Sequence, residues 1–84
     1  MEWINTKEKH FAEIEKKESG YSWKSDFIDT PFLVAVETNK GWDIEKVVLT
    51  DGIGLECFCD GETSYYGWEV TDIDFYMIIE NPKK

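Results

Sequence analysis

Arginine is missing from the 84 residues, and histidine occurs once, at position 10. Eighteen acids stand against nine lysines, which gives a formal net charge of −9. Direct binding to nucleic acid depends on basic contacts to phosphate, and attraction to an anionic lipid surface needs clustered bases. The composition therefore predicts neither nucleic acid nor a membrane surface as a direct partner.

Long hydrophobic runs and cysteine pairs are also scarce. No apolar stretch reaches the ~20 residues that cross a bilayer as a helix, and none follows the first residues as in a secretory signal. The only cysteines, Cys57 and Cys59, are one residue apart, where a disulfide would be strained. We therefore expect reduced thiols, one domain over residues 1–84, and a soluble protein of the cytoplasm.

Residues that carry catalysis or hold metal are few. A tetrahedral zinc site needs four ligands, and Cys57, Cys59 and His10 supply three, so only a symmetric dimer that pools four thiols could complete one. Nothing places a nucleophile beside His10 with an acid behind it. Pairs of carboxylates are frequent, but eighteen acids in this length produce them by chance. We expect no enzyme activity, no metal and no cofactor.

The N-terminal segment predicts a helix. Lys7–Glu18 reads KEKHFAEIEKKE, with a narrow apolar stripe. Asn5 followed by Glu8 is a variant of the capping box, and Ser19-Gly20 is a natural helix stop.

The rest of the chain predicts strands. Pro31 opens the alternating segment Phe32–Thr38, and Asn39-Lys40-Gly41 is a hairpin signal. Further strands are expected over Trp42–Thr50, Leu55–Cys59 and Phe75–Ile79, with another strand or an aromatic-rich loop over Tyr65–Val70. The predicted fold class is α+β: one N-terminal helix followed by an antiparallel β-meander of about four to five strands.

Charge and aromatic residues concentrate in the second half. Residues 47–82 hold eight acids and no base, and the whole chain holds thirteen large aromatic residues. A small sheet cannot bury them all, and exposed Tyr and Trp are favoured interface anchors. The predicted partner-binding residues are Glu62, Tyr65, Tyr66, Trp68, Glu69, Asp72 and Asp74. The alternatives are that Trp68 packs under the sheet, the tyrosines only rim it, and the acids serve solubility.

Three segments resemble a small domain of unknown function common in phages and prophages. Trp3-Ile4 is similar to its opening pair. Leu33, Val34 and Val36 are similar to its first strand, and Asp72, Ile73, Tyr76 and Met77 to its close. The resemblance implies no catalytic activity. It implies a mobile-element context, in which small acidic proteins often bind and block host machinery.

These features allow three functions. The first is a non-catalytic acidic interaction protein of phage type. It binds a basic surface and inhibits a host nucleic-acid-binding protein, in the manner of an anti-CRISPR. The second is an accessory or scaffold domain that acts through homo-oligomerisation. The third, a small enzyme or small-molecule binder, has the least support in the sequence.

Overall fold

A computed structural model describes residues 2–17, 20–50 and 53–80. Within these ranges the chain forms two antiparallel sheets and a short 3-10 helix at Val70–Asp72. The strands are β1 (Ile4–Asn5), β2 (Glu13–Lys17), β3 (Gly20–Lys24), β4 (Phe32–Thr38), β5 (Gly41–Thr50), β6 (Gly54–Cys59), β7 (Glu62–Tyr65) and β8 (Phe75–Met77). Six strands form the main sheet in the order β1-β8-β4-β5-β6-β7, and β2 pairs with β3 alone.

The predicted α+β class is wrong, because the described residues contain no α-helix. The expected helix begins as a turn: the Asn5 carbonyl accepts the N–H groups of Glu8 and Lys9, both at 3.0 Å, and Asn5 Oδ1 accepts the N–H of Lys7 at 2.9 Å. Instead of propagating, the chain extends into β2, which pairs with β3 from Glu13↔Lys24 to Lys17↔Gly20. Strand pairing with a later segment overrides the local preference of Glu, Lys and Ala for helix. Glu18 and Ser19, the expected helix end, lie outside the described residues.

The predicted strands of the middle segment are confirmed. β4 spans Phe32–Thr38, and its register with β5 ends at Thr38↔Gly41, so Asn39-Lys40 is the hairpin turn. Gly41 has φ +112°, a conformation that glycine adopts without a Cβ penalty. β4 to β7 then form an antiparallel meander, as each strand pairs with the next.

The last strand does not extend the meander. After β7 the chain crosses one face of the sheet, and β8 pairs with β4 on the far side, in the register Val34↔Tyr76. β1 pairs with the outer edge of β8. β8 ends at Met77, two residues before the predicted end.

The core lies on one face of the main sheet. Phe32, Val34, Val47, Leu49 and Tyr76 are fully or almost fully buried there. The covering side chains come from irregular segments and the 3-10 helix: Phe11, Ala12, Phe27, Tyr66, Val70 and Ile73. Successive side chains of a strand point to opposite faces of its sheet. Because these segments cover only the core face, the side chains on the other face of the main sheet are candidates for binding.

Candidate functional site

The second face of the main sheet carries a contiguous apolar surface, called the open face here and defined by Trp3, Ala35, Trp42, Ile44 and Phe75. Ala35 is the centre, because it pairs with Ile44 on one side and with Phe75 on the other. The rings of Trp42 and Phe75 pack edge to face with centroids 5.5 Å apart. The five residues line a shallow hollow of about 260 Å³. Ala35 is buried beneath its neighbours, whereas Trp42 and Ile44 are each 50% exposed, so the described residues leave much of this face open to solvent.

The alternation of β5 explains why the open face was not predicted. Trp42 and Ile44 alternate with Asp43 and Glu45, and such a pattern shows which residues share a face, not which face is covered. The register Val34↔Glu45 puts the two acids on the core side of the sheet, where Asp43 is half-buried and Glu45 is exposed. Val47 and Leu49 then continue that side into the core, so apolar Trp42 and Ile44 point outwards.

A second depression, called the aromatic cleft here, lies on a different part of the surface and shares no lining residue with the open face. It has a volume of about 420 Å³. Its lining includes four aromatic residues and two acids, and none of the described lining residues is basic. The aromatic residues are Trp23, Tyr65, Tyr66 and Trp68, and the acids are Glu56 and Glu69.

Several contacts hold the walls of the aromatic cleft in place. Trp68 Nε1 donates a hydrogen bond to Asp43 Oδ2 at 2.8 Å. Trp23 and Trp68 both pack against the core cluster. The register Glu56↔Tyr65 puts those two side chains next to each other on the face of β6 and β7 opposite to that of Leu55. There Glu56 Oε1 accepts the hydroxyl hydrogen bond of Thr50 at 2.8 Å.

The structure brings together four of the seven residues predicted to bind a partner. Tyr65, Tyr66, Trp68 and Glu69 all line the aromatic cleft. Tyr65 is 89% exposed, whereas Tyr66 is only 8% exposed. Trp68 is half-buried. Of the two predicted tyrosines, Tyr65 is therefore accessible, whereas Tyr66 forms the floor of the aromatic cleft and not its rim.

The other three predicted acids lie elsewhere. Glu62 is exposed at the start of edge strand β7. Asp72 Oδ2 accepts the N–H of Glu69 at 2.9 Å within a capping box of the 3-10 helix, and Asp74 Oδ2 accepts the N–H of Glu37 at 2.9 Å. The last two carboxylates thus satisfy backbone donors of the fold.

The acids do not form a single negative face. Glu56 pairs with Tyr65, whereas Glu62 pairs with Cys59, so the alternation of β6 and β7 puts the two carboxylates on opposite faces. Negative charge is distributed around the sheet instead of on one side of it.

Two polar groups in the interior are perturbed by their surroundings. Burial raises the pKa of the Tyr66 hydroxyl, and the charges of Asp43, Cys57 and Glu45 add to the effect. This hydroxyl has no hydrogen-bond partner among the described residues. Burial also raises the pKa of the Cys57 thiol, again with Glu45 and Asp43 contributing. Both groups stay protonated at neutral pH, which does not favour them as nucleophiles.

His10 serves the fold. Its Nδ1 accepts the N–H of Ala12 at 3.1 Å, and burial lowers its pKa. No group of three or more potential metal ligands occurs in the part of the chain that the structure describes. The described residues also form no helix long and apolar enough to span a bilayer.

No family model matches the chain, and neither a curated protein nor a solved structure matches it. The resemblance to the phage domain therefore stays a prediction.

Proposed function

We propose that this chain is a non-catalytic interaction protein whose open face docks onto a basic surface of a partner protein. The exposure of Trp42 and Ile44 in one apolar patch with Trp3 and Phe75 carries this proposal. Single exposed apolar residues are ordinary, whereas contiguous apolar patches mark interaction sites. Trp residues at the centre of such patches typically contribute much of the binding energy.

The charge of the chain supports a basic partner. A net charge of −9 without arginine repels acidic surfaces and attracts basic ones from a distance. Charged groups around an interface chiefly raise the association rate and select among partners, while buried apolar contacts set the lifetime of the complex. The open face and the acids would therefore have separate roles in one binding event.

The partner class that best fits this combination is a nucleic-acid-binding protein. Grooves that bind nucleic acid are basic, because they neutralise phosphates. An acidic domain docked on such a groove competes with the nucleic acid and inhibits the protein. With the phage-type resemblance, this makes an anti-defence inhibitor of anti-CRISPR type, acting in the cytoplasm of a host cell, the specific form of the proposal.

The test is a capture experiment followed by competition. Immobilised wild type is exposed to bacterial lysate at low salt beside Trp42→Ser and a control, Lys40→Ser, which changes an exposed residue of the same hairpin. We expect wild type and control to retain one basic nucleic-acid-binding protein, the Trp42 variant to lose it, and added DNA to release it. Equal retention by all three baits, or retention that DNA leaves unchanged, contradicts the proposal.

The open face also favours the alternative of a homo-oligomeric scaffold, since the same apolar patch could bind a second copy. Sedimentation velocity over a range of concentrations separates the two cases. A stable dimer that Trp42→Ser dissociates would mean that the open face is already occupied by the chain itself.

A further inference from the structure

We infer that the aromatic cleft binds a cationic side chain, the ammonium of a lysine or the guanidinium of an arginine, presented by a partner protein. This inference rests on the proposed function, because it takes the partner to be a basic protein. It concerns a different surface, since the aromatic cleft and the open face share no lining residue. It therefore adds a second contact to the proposed complex.

The chemistry of the walls selects for positive charge. The faces of aromatic rings carry partial negative charge and attract ammonium and guanidinium groups, with Trp the strongest. The rings on the core side of the sheet are the indoles of Trp23 and Trp68 and the phenol of Tyr66, and Glu69 adds an exposed acid. No described lining residue is a lysine or a histidine that could take the place of a ligand cation. An anionic ligand would be repelled by Glu69.

The size fits a side chain better than an ion alone. A volume of about 420 Å³ falls in the range of roughly 300–1,000 Å³ typical of ligand pockets. Basic side chains have an aliphatic stem that packs on apolar surface while the charged head stays near polar groups. Leu55 and Val70 in the lining offer apolar contact for such a stem.

The aromatic cleft is largely organised before a ligand arrives. The hydrogen bond to Asp43 orients the Trp68 indole, and the core anchors Tyr66, which is 8% exposed. Walls that are already ordered lose little conformational entropy on binding, which favours affinity for a small group.

The test uses a blocked pentapeptide with one central lysine between glycines, and a matched peptide in which that lysine is acetylated. Binding is followed by NMR through the indole N–H resonances of the four tryptophans. We expect the lysine peptide to shift the resonances of Trp23 and Trp68 and to leave that of Trp42 unchanged. Acetylation removes the charge while it keeps the stem, and it should weaken binding by roughly tenfold.

Variants separate recognition by the aromatic cleft from the effect of net charge alone. The change Glu69→Gln keeps the shape of the walls and should weaken lysine binding severalfold. The matched change Glu62→Gln removes an exposed carboxylate that does not line the aromatic cleft, and it should bind as wild type does. Trp68→Leu should abolish binding, with the dispersion of the remaining NMR signals as the check that the domain is folded.

Several outcomes would overturn the inference. Equal binding of the lysine and acetyl-lysine peptides would show that charge is not recognised. Equal losses in the two carboxylate variants would show that only net charge acts. Butylammonium serves as a free amine for comparison. If it binds as tightly as the peptide, and an excess of basic protein does not displace it, the aromatic cleft takes free amines and not a partner's side chain. If the lysine peptide does not bind but the complex with a partner depends on Trp42, the inference about the aromatic cleft is wrong and the proposed function stands. If the peptide binds but no complex depends on Trp42, the proposed role of the open face is wrong and the inference about the aromatic cleft stands.

Discussion

The hydrogen bond between Trp68 and Asp43 predicts a measurable coupling between two distant parts of the chain. Trp68 Nε1 lies 2.8 Å from Asp43 Oδ2, and the pair is partly buried. Hydrogen bonds to charged groups contribute about 1.5–3 kcal/mol when well shielded, and partial exposure favours the lower end. We expect Asp43→Ala and Trp68→Phe each to lower the free energy of unfolding, with a coupling of about 1 kcal/mol in the double-mutant cycle.

The cycle is needed because Asp43 has a second effect on stability. It lies on the same face of β5 as Glu45, two residues away, and like charges at that spacing repel each other. Asp43→Ala therefore loses the hydrogen bond and gains relief from repulsion, so its single-mutant cost understates the bond. In the cycle the repulsion cancels, because it is present or absent equally with Trp68 and with Phe.

Urea denaturation of the wild type, the two single variants and the double variant measures the coupling. Trp42→Phe is the matched control, since this indole donates no hydrogen bond to a described residue and should show no coupling to Asp43→Ala. A Trp68–Asp43 coupling below about 0.3 kcal/mol, the usual limit of additivity, would refute the reasoning. It would also remove one support for a preorganised aromatic cleft.

Three further predictions concern stability and reactivity. Phe32→Ala should cost about 3–5 kcal/mol, because the side chain is fully buried against Phe11. Trp42→Ser should cost only about 1–2 kcal/mol, because the Trp42 ring is 50% exposed and packs on Phe75 alone among the described rings. Similar urea midpoints for both would contradict the division of the sheet into core and open faces. Burial lowers the pKa of His10 from 6.5, so the folded state binds fewer protons than the unfolded state, and the stability of the fold falls as the pH drops below 6.5. The melting temperatures of wild type and His10→Asn should therefore diverge towards pH 5. Parallel curves of melting temperature against pH would contradict this. Iodoacetamide should modify Cys59 faster than Cys57, because Cys59 is exposed and burial raises the pKa of the Cys57 thiol. Peptide mass spectrometry after a short reaction measures how much of each cysteine is modified. Faster modification of Cys57 would be inconsistent with the structure.

The elements that the sequence predicts well are those fixed by local chemistry. Phe32–Val36 is an unbroken run of apolar residues, and the Asn39-Lys40-Gly41 turn joins its strand to β5, which pairs with β4 along the whole length of β4. The N-terminal helix fails for the opposite reason. Glu, Lys and Ala give Lys7–Lys17 a local helix preference, but the pairing of β2 with β3 and the burial of Phe11 and Ala12 depend on residues far along the chain.

The candidate site was only partly predictable for a related reason. Composition shows that thirteen aromatic residues are too many for a small core, which correctly indicates exposed rings. It does not say which rings are exposed. Tyr66 lies in the core and Trp42 on the surface, because the path of the chain after β7 decides which face of the sheet is covered. No pattern within β5 contains that information.

Salt concentration distinguishes the two occupants that the open face could have. Two copies of a chain with net charge −9 repel each other, so salt would screen the repulsion and strengthen a dimer held by Trp42 and Ile44. A basic partner is attracted by the same charge, so salt would weaken that complex and slow its formation. The apolar contact is common to the dimer and to the complex with a basic partner, and only the sign of the salt dependence differs between them. That sign therefore shows whether the acids act in recognition or only oppose self-association.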